Sequence, residues 1–148
     1  MSNQVGQEDR LGKVMRSPVI TMDENGTLGA AAQLMIQHDI GAVIVAKGTS
    51  PVGIVTERDV TKQVVKADDA LKKPVRQLMS KQLITATEEM PIQQAFELML
   101  RSKIRRLPIL EDGKLKGIVT TRDIMKWVLR VSYEPNIPRH IKEILDNY

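Results

Sequence analysis

GIVTERD at residues 53–59 returns as GIVTTRD at residues 117–123, with one position changed. The two phrases lie 64 residues apart, and sliding the whole chain by that offset aligns residues 14–65 with 78–129 without a gap. Sixteen of the 52 aligned pairs are identical, among them Met15/Met79, Ile20/Ile84, Thr21/Thr85, Leu34/Leu98 and Ile40/Ile104. Average composition would give roughly three or four by chance. The chain is an internal duplication, and its fold is the fold of one unit used twice.

Each copy reads the same way. VITM (19–22) and LITA (83–86) are short β-rich pieces. A helix follows: Leu28, Ala31, Ala32 and Met35 recur at helical spacing, as do Ile92, Ala95, Phe96 and Met99 after Pro91. Two strands joined by a turn come next, IGAVIVA and VGIVT in the first copy, IRRLPIL and LKGIVT in the second. Asp112-Gly113 is a tight-turn pair. A last helix begins after Thr56 and after Thr120. The predicted class is α/β, two β-α-β-β-α repeats packed sheet to sheet about a pseudo-twofold axis, because one such unit alone has too little core. The boundaries expected are a disordered segment 1–10, a first repeat 11–69 and a second 70–131. ALKKPVRQ (70–77) links the repeats, with Pro74 as a boundary mark. Residues 132–148 form a breaker-rich linker and a short amphipathic helix striped by Ile137, Ile141, Ile144 and Leu145.

Composition narrows the function classes. There is no cysteine among the 148 residues, which removes disulfides, thiolate nucleophiles and zinc–thiolate sites and fits a reducing compartment, the cytoplasm. No apolar run reaches the roughly 18 residues of a membrane span. The net charge of +4 lies wholly in residues 75–148, with thirteen Lys/Arg against nine Asp/Glu, while residues 1–74 carry nine of each. Such a field attracts an anion or nucleic acid, or is a solvated basic face. With one Trp, two Tyr and one Phe, platforms for stacking single-stranded nucleic acid are scarce.

Two readings of the repeated phrase compete. Thr56–Asp59 and Thr120–Asp123 fit an N-terminal capping box, with Gly53 and Gly117 merely allowing close packing. Against a purely structural role, Arg58 and Arg122 sit in a first helical turn, where the helix dipole disfavours a cation by up to about 1 kcal/mol. A strand–Thr–helix junction also presents free amides and a hydroxyl, groups that bind an anion or a sugar hydroxyl. A carboxylate there has two acceptor oxygens to offer both hydroxyls of a ribose.

The order of elements, the paired G-h-h-T-x-x-D phrases and the IRRLPIL strand resemble a tandem of CBS (cystathionine β-synthase) domains, a Bateman module, over about residues 11–131. The resemblance implies an adenosine-ligand site per repeat in the cleft between the repeats. In the second repeat it implies Met79, Ile84, Thr85, Ile104, Arg105, Arg106, Leu107, Pro108, Thr120, Arg122 and Asp123. In the first, weaker site it implies Met15, Ile20, Thr21, Ile40, Gly41, Ala42, Val43, Thr56, Arg58 and Asp59. The aspartates would hold the ribose 2′- and 3′-hydroxyls, the threonines ribose or the α-phosphate, and aliphatic walls the base. Where the first copy has Gly41-Ala42, the second has Arg105-Arg106, suited to bidentate bonds with phosphate or to partners such as Glu111 and Asp112. Neighbours in a strand face opposite ways, so one of the two serves a given site. The expectation is an unequal pair, the second site binding a phosphorylated nucleotide more tightly.

No catalytic or metal-ligand constellation appears: His38 and His140 stand far apart, and no phosphate-loop glycine motif is present. The functional expectation is a stand-alone, non-enzymatic, ligand-sensing regulatory module. It requires no cofactor and binds an adenine nucleotide, AMP, ADP, ATP or a related adenosyl compound, as its regulatory ligand. The alternatives are a dimerising scaffold without ligand, or a nucleic-acid binder through the basic second half. The resemblance further implies a homodimer stacked through the helices after each phrase; an unidentified protein partner is also expected, and, from the absence of a long apolar run, no membrane. Trp127 is expected to pack in the core or on the dimer face.

Overall fold

The computed structural model describes residues 9–133, 139, 142 and 143, so the expected stripe of Ile137, Ile141, Ile144 and Leu145, like residues 1–8, lies outside the described residues. Chain order is a 3-10 turn (Leu11–Lys13), β1 (Thr21–Asp23), α1 (Leu28–His38), β2 (Ala42–Lys47), β3 (Ser50–Thr56) and α2 (Glu57–Lys66). Two further 3-10 turns (Ala70–Lys72, Val75–Gln77) lead to α3 (Ile92–Ser102), β4 (Arg106–Glu111), β5 (Lys114–Thr120) and α4 (Thr121–Tyr133). The mixed α/β class and the doubling are those read from the sequence.

The chain packs as two compact units. The first comprises Pro18–Ile84 with Glu111–Lys116; the second, among the described residues, comprises 9–17, 85–110 and 117–133.

In the first unit β2 lies between β1 and β3, parallel to β1 (Thr21 opposite Ile44) and antiparallel to β3 (Val43 opposite Val55). Consecutive residues Ala42 to Ala46 of β2 are all buried, so both faces of the strand are covered, which explains its unbroken apolar run. A bulge between Val45 and Ala46 brings Pro51 opposite Ala46, where a residue without an N–H is tolerated. Leu28, Ala31 and Met35 of α1 close over Val43, Val45 and Val55. Leu28 recurs at Ala31 and Met35 because three and seven residues bring a side chain back to one helix face.

The stretch 70–77 does more than link. Ala70 and Val75 are buried in that same core, Val75 donates its N–H to the Gly26 carbonyl at 2.7 Å, and Leu28 donates to that of Lys73 at 3.0 Å. Residue 74 bridges Thr27. The equivalent bridge 64 residues away joins Arg10 to Pro91 and lies in the second unit. There Leu11 is wholly buried and donates to the Met90 carbonyl at 3.0 Å, Gly12 donates to that of Glu88 at 2.9 Å, and Ile92 donates to that of Asp9 at 3.0 Å. Each lead-in segment thus packs on the opposite copy: residues 10–16 on the second, 74–80 on the first.

Asp9 and Arg10 are held as well. Trp127 donates through Nε1 to Asp9 Oδ2 at 2.7 Å, and Lys13 to Oδ1 at 2.9 Å. Bonds from Lys13 and Trp127 hold the Asp9 carboxyl below the usual aspartate range. Trp127 is therefore a half-buried packing residue of the second unit with its polar edge satisfied.

In the second unit α3 buries Ile92, Ala95 and Met99. Helices α1 and α3 end alike, on left-handed residues Asp39 (φ 50°) and Lys103 (φ 53°). Strands β4 and β5 pair through a turn at Asp112 (φ 50°) and Gly113 (φ 75°), the two left-handed residues that an Asp-Gly hairpin turn requires.

LITA is not a strand. Where β1 pairs over three residues, here Ala86 alone bridges Ile109 in parallel, giving an N–H to Pro108 and receiving one from Leu110. Pro108 stands where the first copy has Ile44, and with no N–H it cannot extend the ladder.

Candidate functional site

The repeated phrase forms the same junction twice. Thr56 precedes α2, and its hydroxyl accepts the Asp59 N–H at 3.3 Å. Asp59 Oδ2 in turn accepts from the Thr56 N–H and hydroxyl, both at 2.9 Å. At α4, Asp123 Oδ2 accepts from the Thr120 N–H and hydroxyl, both at 2.8 Å, and Thr120 accepts the Asp123 N–H at 3.3 Å. Both capping boxes are real, so Oδ2 of each aspartate is committed to its own helix. What remains for chemistry is Oδ1.

The start of β2 and of β4 faces each junction through the backbone. The Gly41 carbonyl accepts from the Glu57 N–H at 3.1 Å, and that of Arg105 from the Thr121 N–H at 3.0 Å. These contacts tie the middle strand to the first turn of the following helix. Two of the four amides that a helix start leaves unsatisfied at each junction are thereby occupied, one by the cap and one by this carbonyl.

The third contact comes from the lead-in segments. Arg16 and Ile118 exchange N–H···O bonds at 2.9 and 3.1 Å; Ser80 and Ile54 do so at 3.0 Å each way. That pairing explains the glycines. A Cβ on Gly53 would stand 2.5 Å from Met79 Sδ and 2.9 Å from the Ser80 carbonyl oxygen, and one on Gly117 would stand 2.8 Å from Met15 Sδ. Met15, expected at the first site, therefore packs beside the second phrase, and Met79, expected at the second, beside the first.

The two junctions then part. Arg16 donates through Nε to Asp123 Oδ1 at 2.7 Å, and its Nη2 lies 2.7 Å from the same oxygen. Asp123 is 7% exposed and Arg16 half-exposed. At the first junction Ser80 occupies the corresponding position, and no hydrogen bond or ion pair among the described residues reaches Asp59 Oδ1. Arg16 and Ser80 are the residues that sequence reasoning missed.

The other expected residues divide by burial. Val43 and Leu107 are fully buried, and Ala42 and Pro108 are buried too, so these four are core; any ligand would meet their backbone. Ile20, Ile40, Ile84, Thr85 and Ile104 are half-buried, whereas Thr21 is exposed. Arg58 and Arg122 are exposed in their first turns, Arg105 is exposed, and Arg106 is half-buried and engaged in an interaction. Neighbouring Arg105 and Arg106 thus differ as strand alternation requires. Among the described residues no group of three or more His, Asp or Glu could hold a metal, and no helix is long and apolar enough to cross a membrane.

Comparison with known proteins agrees with this architecture. The CBS domain matches residues 11–66 and 75–130. A Methanopyrus kandleri protein of uncharacterised function, MK0525, is 41% identical over 122 residues, 78% of this chain and 61% of that protein; the chain thus spans less than two thirds of it. The Bacillus subtilis CBS domain-containing protein YhcV is 34% identical over 110 residues, covering 74% of this chain and 79% of its own. Among solved structures, the CBS domain pair of protein MJ0100 in complex with 5′-methylthioadenosine and S-adenosyl-L-methionine superposes with a TM-score of 0.73 at 26% identity, over 80% of this chain and 98% of that one. Two matched domains, together spanning most of the chain, place this protein in the CBS-domain family as a CBS pair.

Proposed function

We propose that this CBS pair is a regulatory module that senses an adenosyl ligand, an adenine nucleotide or a close relative of one, at the starts of α2 and α4. The observation that carries the reading is Asp59 Oδ1, an acceptor that no hydrogen bond or ion pair among the described residues reaches, beside a capped helix N-terminus. One such oxygen accepts two hydroxyls, which is what a ribose cis-diol presents. The adenosyl ligands held by MJ0100 carry that diol and support the same class here.

The site residues proposed are Thr56, Asp59, Gly41, Ile40, Ile20 and Thr21 at the first junction and Thr120, Asp123, Arg105, Arg106, Ile104 and Thr85 at the second. Sensing follows if the ligand prefers one arrangement of the protein over another. The exposed apolar residues Val64 and Val65 of α2, and Met125 and Val128 of α4, support association of two copies through these helices. Sedimentation that returns only monomer would remove that element.

A melting-shift series with adenosine, 5′-methylthioadenosine, S-adenosylmethionine, AMP, ADP and ATP tests the reading. A ligand at a hundred times its dissociation constant adds about 2.7 kcal/mol, a rise of about 5–10 °C for a chain this long. No shift with any of the six at millimolar concentration would leave the scaffold alternative.

A further inference from the structure

A carboxylate has about four lone-pair sites. At Asp123, Oδ2 accepts from the Thr120 N–H and hydroxyl, and Oδ1 accepts from Arg16 Nε while Arg16 Nη2 stands 2.7 Å away in the same ion pair. Asp59 has the same two bonds on Oδ2 and none among the described residues on Oδ1. The difference lies in one pair of equivalent positions. Arg16 and Ser80 stand 64 residues apart, each clamped by two backbone bonds to the strand that precedes the helix, Arg16 to Ile118 and Ser80 to Ile54. A guanidinium reaches the aspartate, and a serine hydroxyl is too short to replace it.

From this we infer that Arg16 is the specificity-determining residue of the pair: it closes the Asp123 junction to uncharged nucleosides and makes it responsive to phosphorylated ones, while the Asp59 junction takes uncharged or cationic adenosyl ligands. The inference rests on the adenosyl reading of the two junctions and assigns each a ligand charge. A diol approaching Asp123 Oδ1 must displace a guanidinium, held by a charge-assisted hydrogen bond and a close ion-pair contact, with two neutral hydroxyls, an unfavourable exchange. A ligand phosphate changes the balance because it offers Arg16 a replacement anion that guanidinium binds bidentately. Arg16 is half-exposed, so its head can leave Asp123 without unburying the chain around it, and its backbone stays fixed through Ile118. At Asp59 no cation among the described residues has to move.

The sites are therefore unequal for a reason other than the Arg105-Arg106 pair. Adjacent arginines add attraction for phosphate at the second junction; Arg16 sets the condition for entry.

The test uses the full chain with Asp59→Asn as background, so that only the Asp123 junction can grip a diol, and measures adenosine and AMP binding by calorimetry. Asparagine leaves an acceptor for the Thr56 cap and replaces the open oxygen by an amide. In that background AMP is expected to bind and adenosine to bind at least about tenfold more weakly, the scale of one charge-assisted hydrogen bond. Adding Arg16→Gln should strengthen adenosine binding by about tenfold and weaken AMP binding, inverting the preference. The reciprocal variant Ser80→Arg, in an otherwise wild-type chain, should weaken adenosine binding.

Equal effects of Arg16→Gln on adenosine and AMP, or none on either, would overturn the assignment while leaving the adenosyl reading intact. If wild type binds neither adenosine nor AMP, the charge assignment is overturned, and the adenosyl reading falls only if the other four ligands of the melting series also fail to bind. Circular dichroism melts of each variant check that the fold survives; Arg16→Met is the second variant if Arg16→Gln does not fold.

Discussion

Leu11→Ala is expected to destabilise the protein by about 2–5 kcal/mol, lowering the melting temperature by about 4–20 °C. The local sequence argues against any such effect, because Leu11 follows the polar stretch SNQVGQEDR and belongs to no periodic apolar pattern. Packing argues for it. Leu11 is 0% exposed, and the backbone around it bonds to residues 88–92 through Leu11, Gly12 and Ile92. Alanine would leave a cavity in the second unit, which the fixed backbone on either side cannot collapse to fill. The loss should appear in hydrogen exchange as reduced protection of α3 and α4 before that of α1 and α2. Leu71→Ala, at a side chain 45% exposed, serves as the control and should change stability by less than about 0.5 kcal/mol. An unaffected melting temperature in Leu11→Ala would contradict the exchange of lead-in segments.

Gly53→Ala is expected to cost about 1–3 kcal/mol, the range for overpacking a close contact. The new Cβ would meet Met79 Sδ at 2.5 Å, Met79 Cγ at 2.8 Å and the Ser80 carbonyl oxygen at 2.9 Å. The first two belong to a flexible side chain that can swing away. The third is backbone, held by two bonds to Ile54, so relief requires moving a strand edge. Gly117→Ala should cost less, since its nearest backbone neighbour, the Arg16 carbonyl oxygen, lies at 3.1 Å. Thermal melts of Gly53→Ala, Gly117→Ala and Gly53→Ala with Met79→Ala separate the contributions. The double variant should recover part of the loss and never all of it. Equal stability of Gly53→Ala and wild type would mean that the glycine in the phrase has no packing role.

The doubling and the order of elements were legible because a 64-residue offset preserves spacing as well as residue type. So were α1, α3 and the Asp112-Gly113 turn, each marked by periodicity or by a residue that fixes backbone conformation. The loss of the first strand in the second copy was legible in principle: Pro108 opposite LITA removes the donor that a parallel ladder needs. The exchange of lead-in segments was not. An offset alignment is unchanged when residues 10–16 and 74–80 trade places, since each is the other's image, so no pairing of Met15 or Met79 with a particular phrase follows from it. Pro74 read as a boundary for the same reason, although the apolar residues around it, Ala70 and Val75, belong to a core.

The phrase itself supported two readings, capping and ligand grip, and the geometry divides them by atom. Oδ2 caps; Oδ1 is left over, open at Asp59 and filled at Asp123. Arg16 escaped notice because its partner is 107 residues away and its image is an unremarkable serine. A cation matched by a neutral residue in a duplicated chain was the available signal.

The most direct measurement is the affinity of the full chain for 5′-methylthioadenosine, an uncharged diol-bearing ligand, before and after Asp59→Asn. An open Asp59 Oδ1 predicts that the substitution weakens binding by at least about tenfold, since an amide donor replaces the acceptor that both hydroxyls share. Unchanged affinity in an Asp59→Asn protein that melts like wild type would contradict the account at its centre.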